Sequence, residues 1–299
     1  MPSSRIIDLD LSYHRPASLA EALDLLREEG ARILAGGTDL LIRIKTGQES
    51  PRSLVHLLGI GELQGLEFKG ELRIGAATQL FRLEEDELLR ETYPAVFEAV
   101  KSLGGTQVRN MATLAGNLCN ASPSADMATP LLVLEARVEI AGKTPAGKIS
   151  RRTVPLEAFF IGPGETVLAR GELVTAVIIP QPPENSASAF CKIGRVTLDM
   201  AKISCSVYVE REGRRIRKVR VAVGGAAPRP VRAAAVEKAM AGRELTRALL
   251  AEAAQGVGED ISPITDIRST REYRREVAAV IIRDTLLAAW ERCGGKEIR

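Results

Sequence analysis

Two short glycine-containing stretches constrain this sequence more than any other feature. Each places small residues, a hydroxyl and a carboxylate or amide at the end of an apolar run. The first is Ile33, Leu34, Ala35, Gly36, Gly37, Thr38, Asp39 and Leu40, and the second is Ala112, Thr113, Leu114, Ala115, Gly116 and Asn117. Glycine lets the main chain turn and approach a ligand closely, and successive exposed amides bind anions. Two such turns predict a clamp on a diphosphate group, and a dinucleotide cofactor is the commonest ligand with that group.

Length, charge and hydropathy exclude several classes of protein. A chain of 299 residues predicts two or more domains. With 41 basic and 38 acidic residues the net charge is only +3, which argues against a nucleic-acid partner. No apolar run approaches the ~20 residues that cross a bilayer, and no signal-peptide core follows Met1. The sequence therefore predicts a cytoplasmic protein without a membrane span.

Residues that commonly carry catalysis or bind metal are scarce. Neither His14 nor His56 has another candidate ligand beside it, so neither a metal site nor a Ser-His-Asp triad is expected. The cysteines lack CxxC spacing, which indicates buried or incidental thiols rather than a zinc site, an iron–sulfur site or disulfides. They are Cys119, Cys191, Cys205 and Cys293. We predict no catalytic side chain and no metal ligand, and expect a bound cofactor to carry the reactive chemistry.

Hydrophobic patterning predicts an α+β chain. A capping box formed by Ser18 and Glu21 starts the first helix. A strand at residues 31–35 then leads into the first glycine turn, where Thr38 and Asp39 are candidate N-caps. Further strands are predicted at residues 54–58, 66–69, 72–75, 137–141, 148–154 and 172–179, and further helices at 80–90, 94–103 and 126–134.

The polar, proline-rich segment at residues 181–186 marks the main domain boundary. Beyond it the pattern predicts three strands and then three helices. The strands are at residues 187–195, 203–210 and 215–223, and the helices at 231–241, 245–254 and 271–292. This segregated order is typical of a small antiparallel sheet covered by helices.

A Rossmann fold fits the sequence poorly. Its first strand–helix turn requires G-x-G-x-x-G, whereas Gly36 and Gly37 are adjacent. The segments 162–164 and 256–258 are only partial matches. Mixed strand order with two separated glycine turns fits a different kind of flavin domain better.

Three motifs, at residues 34–40, 107–117 and 121–126, occur in an order that resembles a known family. Together with residues 189–195 and 199–201 they resemble the FAD-binding medium subunit of the molybdenum hydroxylases, of the xanthine dehydrogenase and carbon monoxide dehydrogenase type. The resemblance covers nearly the whole chain. It implies a two-subdomain FAD-binding domain of the PCMH/vanillyl-alcohol-oxidase-like type at residues 1–181, divided into about 1–52 and 53–181. A small C-terminal α+β domain with a three-stranded antiparallel sheet and helices would follow at residues 187–292.

The resemblance also implies roles for individual residues. Residues 33–40 would wrap the diphosphate, and a second diphosphate loop would contain Thr113, Ala115, Gly116 and Asn117. Leu103 would lie near the flavin or adenine end, Val174 would pack on the cofactor, Asp126 would bond to its ribityl or ribose part, and Lys192 would approach the flavin ring. Ala115 departs from the family pattern, which usually has glycine there. Alanine is compatible with the site if φ at this position is negative.

The function implied by this resemblance is electron transfer. A large molybdopterin-binding subunit would oxidise the substrate, and 2Fe–2S clusters on a small subunit would relay electrons. This chain would accept them on non-covalent FAD and pass them to NAD, oxygen or a quinone. The motif at residues 121–126 favours the xanthine dehydrogenase branch.

Two other functions remain open from the sequence. One is a self-sufficient flavin oxidase, which commonly links its flavin covalently through His or Cys; neither His14 nor His56 lies in a suitable glycine turn, and the C-terminal region is small for a substrate domain. The other is an interaction subunit that has lost FAD. Ala115 is its only support.

Overall fold

The computed structural model describes residues 11–295, and its first unit is a small parallel sheet. Its elements are β1 (Ser12–His14), α1 (Leu19–Leu25), β2 (Ala31–Leu34), α2 (Leu40–Lys45) and β3 (Ser53–His56). The strands lie in the order β1-β3-β2. The N-cap half of the predicted capping box is confirmed at α1, because the Ser18 hydroxyl accepts a hydrogen bond from the Glu21 amide at 3.3 Å. The Glu21 carboxylate accepts from the Ala17 amide at 2.8 Å rather than from that of Ser18. The subdomain boundary expected near residue 53 falls at the start of β3. Because β3 pairs with β1 and β2, this strand belongs to the sheet of the first unit.

The second unit is a five-stranded antiparallel sheet covered by short helices. Its strands are β4 (Leu66–Phe68), β5 (Glu71–Gly75), β6 (Arg137–Lys143), β7 (Ile149–Pro155) and β10 (Leu173–Pro180), in the order β4-β5-β10-β6-β7. A two-stranded hairpin joins β8 (Phe160–Gly162) to β9 (Glu165–Thr166). The helices are α3 (Leu80–Glu84), α4 (Glu87–Thr92), α5 (Pro94–Ser102), α6 (Thr106–Met111), α7 (Leu114–Cys119), α8 (Ala128–Val133) and α9 (Leu156–Phe159). A continuous apolar core lies between this sheet and its helices.

The single helix predicted at residues 80–90 is wrong. The chain forms α3 and α4 instead, separated at Glu85 and Asp86. The Asp86 carboxylate accepts a hydrogen bond from the Leu89 amide at 2.8 Å and so starts a new helix. An aspartate stabilises a helix start in this way but not a helix interior.

The C-terminal domain is an antiparallel sheet packed against helices. Its strands are β11 (Ser186–Ile193), β12 (Ile203–Glu212), β13 (Arg215–Gly224) and β14 (Val231–Arg232), and its helices are α10 (Ala234–Met240), α11 (Arg247–Gln255) and α12 (Arg271–Arg292). The sheet has four strands in sequential order rather than the expected three. The extra strand, β14, pairs through two residues with β13. Propensity and pattern cannot identify so short a strand.

The longest helix, α12, covers the C-terminal sheet. Its N-cap is Thr270, whose hydroxyl accepts a hydrogen bond from the Tyr273 amide at 3.2 Å. Its apolar face, which includes Trp290, lies in the core of this domain. Among residues 11–295 no helix has both the length and the apolar character needed to cross a membrane.

The two domains are joined along β11, the outer strand of the C-terminal sheet. The Phe190 amide donates to the Glu98 carboxylate of α5 at 2.9 Å, and the Ala95 amide donates to the Ser188 hydroxyl at 3.3 Å. Arg292 of α12 completes this contact by bonding to Glu98 and, at 2.9 Å, to the Ser188 carbonyl. The packing of α5 on β11 therefore fixes the C-terminal domain beside the second unit.

Candidate functional site

A cleft of about 590 Å³ lies where the two glycine turns meet, and its size is typical of a small-molecule site. Among the predicted site residues, all of which the structure describes, those lining it are Ile33, Ala35, Gly36, Gly37, Thr38, Asp39, Leu40, Leu103, Thr113, Ala115, Gly116, Asn117, Asp126 and Val174. Leu34 and Lys192 lie outside its wall. The cleft therefore brings together residues that are far apart in the sequence.

The first glycine turn packs directly against the start of the second. A Cβ atom on Gly36 would lie 2.1 Å from the Met111 carbonyl oxygen and 2.7 Å from Cα of Ala112. Only glycine allows two main chains to approach so closely. Gly37 adopts a φ of +71°, in the left-handed region that other residues avoid. These two residues thus bend the chain and join the turns into one wall.

The second turn is held by Thr113, the N-cap of α7. Its hydroxyl accepts a hydrogen bond from the Gly116 amide at 3.0 Å. Ala115 lies within α7, and the non-glycine residues with positive φ in the described chain are Ala121 and Glu135. The departure from glycine at Ala115 therefore imposes no backbone strain.

A chain of charged and amide groups lines part of the cleft. Asn120 donates to the Asp39 carboxylate at 3.3 Å and accepts from Arg43. Glu49 bridges Arg43 and Arg32, with both nitrogen–oxygen distances at 3.3 Å. Asp39 is the N-cap of α2, but within the described residues its carboxylate makes no capping hydrogen bond. Its interaction with Asn120 replaces the predicted capping role.

One lining residue, Asp126, belongs to a buried ion pair with Lys192. The Lys192 ammonium is 2.9 Å from Oδ2 of Asp126 and 2.6 Å from the Ser102 carbonyl oxygen. Oδ1 of Asp126 is buried, lies on a residue that lines the cleft, and has no hydrogen-bond partner among residues 11–295. Burial raises the pKa of the Asp126 carboxyl, and the Lys192 ammonium opposes this rise. An unpartnered carboxylate oxygen is costly unless a ligand donates a hydrogen bond to it.

Arg109 supports the cleft from below the surface rather than lining it. Its guanidinium donates to the Glu84 carboxylate at 2.7 and 3.1 Å and to the Gly104 carbonyl at 2.9 Å. Leu103 and Gly104 line the cleft, so this buried arginine fixes their main chain. Leu34 packs with Ile44 and Leu54 in a small core.

Sequence reasoning missed several residues that line the cleft: Arg32, Arg43, Glu49, Leu57, Ala76, Gly104, Val108, Ala112, Cys119, Asn120, Ser122, Ser124, Ala125, Gly164, Leu168, Leu173, Leu198, Asp199 and Met200. Ser122 and Ser124 could have been predicted, because both belong to the motif at residues 121–126. The Cys119 thiol is held protonated by burial, which raises its pKa to about 12. Neither His14 nor His56 is among the described lining residues. Within the described part of the chain, no cluster of three or more His, Cys, Asp or Glu side chains could hold a metal.

Each of the two domains matches the sequence model of a known protein family. Residues 9–182 match the FAD-binding domain in molybdopterin dehydrogenase, and residues 188–289 match the CO dehydrogenase flavoprotein C-terminal domain. The chain belongs to this family of FAD-binding dehydrogenase subunits, so the resemblance, the fold class and the assignment to the oxidoreductases are confirmed.

Individual relatives agree with the family. The chain is 35% identical over 290 residues to the xanthine dehydrogenase FAD-binding subunit of Escherichia coli O157:H7, covering 95% of this chain and 98% of that protein. It is 31% identical over 284 residues to the carbon monoxide dehydrogenase medium chain of Hydrogenophaga pseudoflava, covering 94% and 97%. The solved carbon monoxide dehydrogenase of H. pseudoflava, which lacks the Mo-pyranopterin moiety, superposes with a TM-score of 0.90 at 31% identity, covering 95% and 98%. Quinoline 2-oxidoreductase from Pseudomonas putida 86 superposes with a TM-score of 0.88 at 29% identity, covering 95% of this chain and 98% of that chain.

The cleft fits FAD in its chemistry. Gly36, Gly37 and Gly116 give the cleft a stretch of wall without side chains, where main-chain amides can bind a diphosphate. The unpartnered Oδ1 of Asp126 is a hydrogen-bond acceptor for a sugar or ribityl hydroxyl. Leu103 and Val174 supply apolar surface for a ring. The cleft thus offers main-chain amides for the diphosphate, a hydrogen-bond acceptor for the polyol and apolar surface for a ring of FAD.

Proposed function

We propose that this chain is the FAD-carrying electron-transfer subunit of a molybdenum hydroxylase of the xanthine dehydrogenase type. The observation that carries the proposal is the contact between Gly36 and the main chain of Met111 and Ala112, which makes one clamp from two distant turns. The 35% identity to a xanthine dehydrogenase subunit, against 31% for a carbon monoxide dehydrogenase chain, supports the choice of branch.

Each part of the cleft has a role in this proposal. The turns at residues 33–40 and 113–117 hold the diphosphate through main-chain amides. Asp126 accepts a hydrogen bond through Oδ1, and Lys192 keeps its other oxygen paired. When bound, FAD supplies reversible two-electron chemistry, so the protein needs no general base. The chain's task is to hold the flavin, orient it and set the charge around it.

The partners are proposed from the names of the relatives, which describe them as subunits. Relatives described as medium chains imply further chains, which we take to be a large molybdopterin-binding subunit and a small iron–sulfur subunit. Val196, Leu198 and Met200 are 71%, 59% and 44% exposed, and the last two line the cleft. Such exposed apolar side chains are typical of a partner surface, and we assign this one to the iron–sulfur subunit. The cytoplasmic location stays a prediction.

An absorbance spectrum of the purified chain tests FAD binding, followed by the spectrum of the supernatant after heat denaturation. Flavin bands that pass into the supernatant are the expected result. Bands that stay with the denatured chain would instead indicate the covalent flavin oxidase. If no flavin is present even after incubation with FAD, the proposal fails and the interaction subunit is favoured.

The electron acceptor needs its own experiment. We propose NAD, with oxygen or a quinone as the alternatives. The FAD-loaded chain is reduced chemically without oxygen, then mixed rapidly with each acceptor while flavin absorbance is followed. Faster reoxidation by NAD than by a quinone or oxygen supports the proposal, and reoxidation by the other acceptors alone contradicts it.

A further inference from the structure

The cofactor loop, which we define as residues 121–126, rests on the C-terminal domain. The Gly225 amide donates to the Pro123 carbonyl at 2.7 Å. Gly225 follows β13 and has a φ of +74°. A Cβ atom there would lie 2.8 Å from the Lys202 carbonyl oxygen and 3.2 Å from Oγ of Ser124. Both the backbone conformation and the space therefore require glycine.

The cofactor loop is itself under backbone constraint. Ala121 is buried and has a φ of +46°, which an alanine adopts only when its surroundings hold it there. Its carbonyl accepts a hydrogen bond from the Gly164 amide at 3.0 Å. Ser122 and Ser124 line the cleft next to Asp126. The loop's shape thus depends on contacts outside the loop.

The C-terminal domain contacts this loop at two separate points. The Gly225 amide donates to the carbonyl of its third residue, Pro123, and the Lys192 ammonium pairs with the side chain of its last residue, Asp126. Lys192 lies on β11, and Gly225 follows the end of β13 in the same sheet. A shift of the C-terminal sheet would therefore move the cleft wall.

We propose that Gly225 is a positioning residue for the cofactor: it holds the cofactor loop in its binding shape, so that FAD binding and docking of the C-terminal domain are coupled. This inference rests on the proposed function. It assigns to the C-terminal domain a share of FAD affinity that does not require direct contact with the cofactor.

Two alanine variants test the role of Gly225. Gly242 is the matched control, because its φ is +76° and no described atom lies within 4 Å of its Cβ position. Both substitutions bring left-handed strain, but only the new Cβ of Gly225→Ala would press on Ser124 of the cofactor loop and on the Lys202 carbonyl. We expect the dissociation constant for FAD, measured by flavin fluorescence, to rise about tenfold or more in Gly225→Ala and to stay within about twofold of the parent in Gly242→Ala. Equal affinities in the two variants would overturn the proposal.

Hydrogen exchange of the unmodified chain gives a test that does not depend on whether a variant folds. Adding FAD should slow exchange in the peptide that contains Gly225 as well as in residues 33–40 and 121–126. Slowing in residues 33–40 without any change at Gly225 would refute the coupling and leave FAD binding intact. Unchanged exchange in all three segments, with no retained flavin, would refute the proposed function itself.

Discussion

The Lys192 ammonium lies 2.9 Å from Oδ2 of Asp126, and this pair ties the C-terminal sheet to the wall of the cleft. The side chains are only 6% and 8% exposed. Charges removed from water to this degree depend on each other, because loss of one leaves the other buried without compensation. The pair is therefore a sensitive place for substitution.

Replacing Lys192 with methionine should destabilise the FAD-free chain strongly. We expect the free energy of unfolding to fall by about 3 kcal/mol near neutral pH. The double variant Lys192→Met, Asp126→Asn should regain much of that loss, because its buried amide carries no charge. Urea unfolding measures both. Lys69→Met is the control: Lys69 is 82% exposed, and no measurable change is expected. A double variant no more stable than Lys192→Met would contradict this view of the pair.

The same carboxyl should give a pH dependence of stability. Burial raises the pKa of Asp126 in the folded chain, so folding favours its protonated form. The stability that the Asp126 carboxyl contributes to the folded chain is then fully present below its ordinary pKa of about 4. It is lost as the pH rises through the higher folded pKa. The free energy of unfolding of the unmodified chain, minus that of Asp126→Asn, should fall as the pH is raised from about 4 toward neutrality. A difference that rises over this range would mean that Lys192 outweighs burial.

Alanine at Gly36 should separate the two turns of the clamp. Its Cβ would meet the Met111 carbonyl oxygen at 2.1 Å, and a main-chain atom cannot rotate away. Overpacking costs of about 1–3 kcal/mol correspond to roughly five- to 150-fold weaker FAD binding if the strain falls on the site. Gly59→Ala is the control, since no described atom lies within 4 Å of its Cβ position. Isothermal titration with FAD compares the variants, and equal affinities would show that the contact is unimportant.

Neutralising Glu49 should strengthen FAD binding. Its carboxylate occupies two guanidinium groups, those of Arg32 and Arg43, in the lining of the cleft. In Glu49→Gln both guanidinium groups lose their carboxylate partner, so their positive charge is available to attract a diphosphate. Because these groups are partly exposed, we expect only about a two- to fivefold gain at low salt, shrinking as salt is added. Glu67→Gln, on a hairpin away from the cleft, is the control. A loss of affinity in Glu49→Gln would instead indicate that Glu49 orders the arginines.

Local signals in the sequence predicted the elements that are locally determined. The Ser18 N-cap and the pair of strands predicted at residues 66–69 and 72–75 each depend on neighbours a few residues away. The run at residues 33–40 was predicted as a whole, but successive strand residues point to opposite faces. Ile33 therefore reaches the cleft while Leu34 packs in the core behind it.

The remainder of the site depends on contacts that no local pattern encodes. Arg43 meets Asn120, and Gly225 meets Pro123, across long stretches of chain. Asp126 was predicted as a cofactor contact, but its burial and its unpartnered Oδ1 follow only from packing. Sequence alone could propose part of the site; contacts between distant segments decide which further residues join it and what each can bind.

The contact between α5 and β11 has a consequence for solubility. β11 is an outer strand, and such a strand offers unpaired amides and carbonyls on which another chain can pair. Here Glu98 takes the Phe190 amide and Arg292 takes the Ser188 carbonyl. A fragment limited to residues 187–292 would lose Glu98 and expose this edge. The packing of α5 on β11 thus also covers an edge on which copies of the chain would otherwise pair and aggregate.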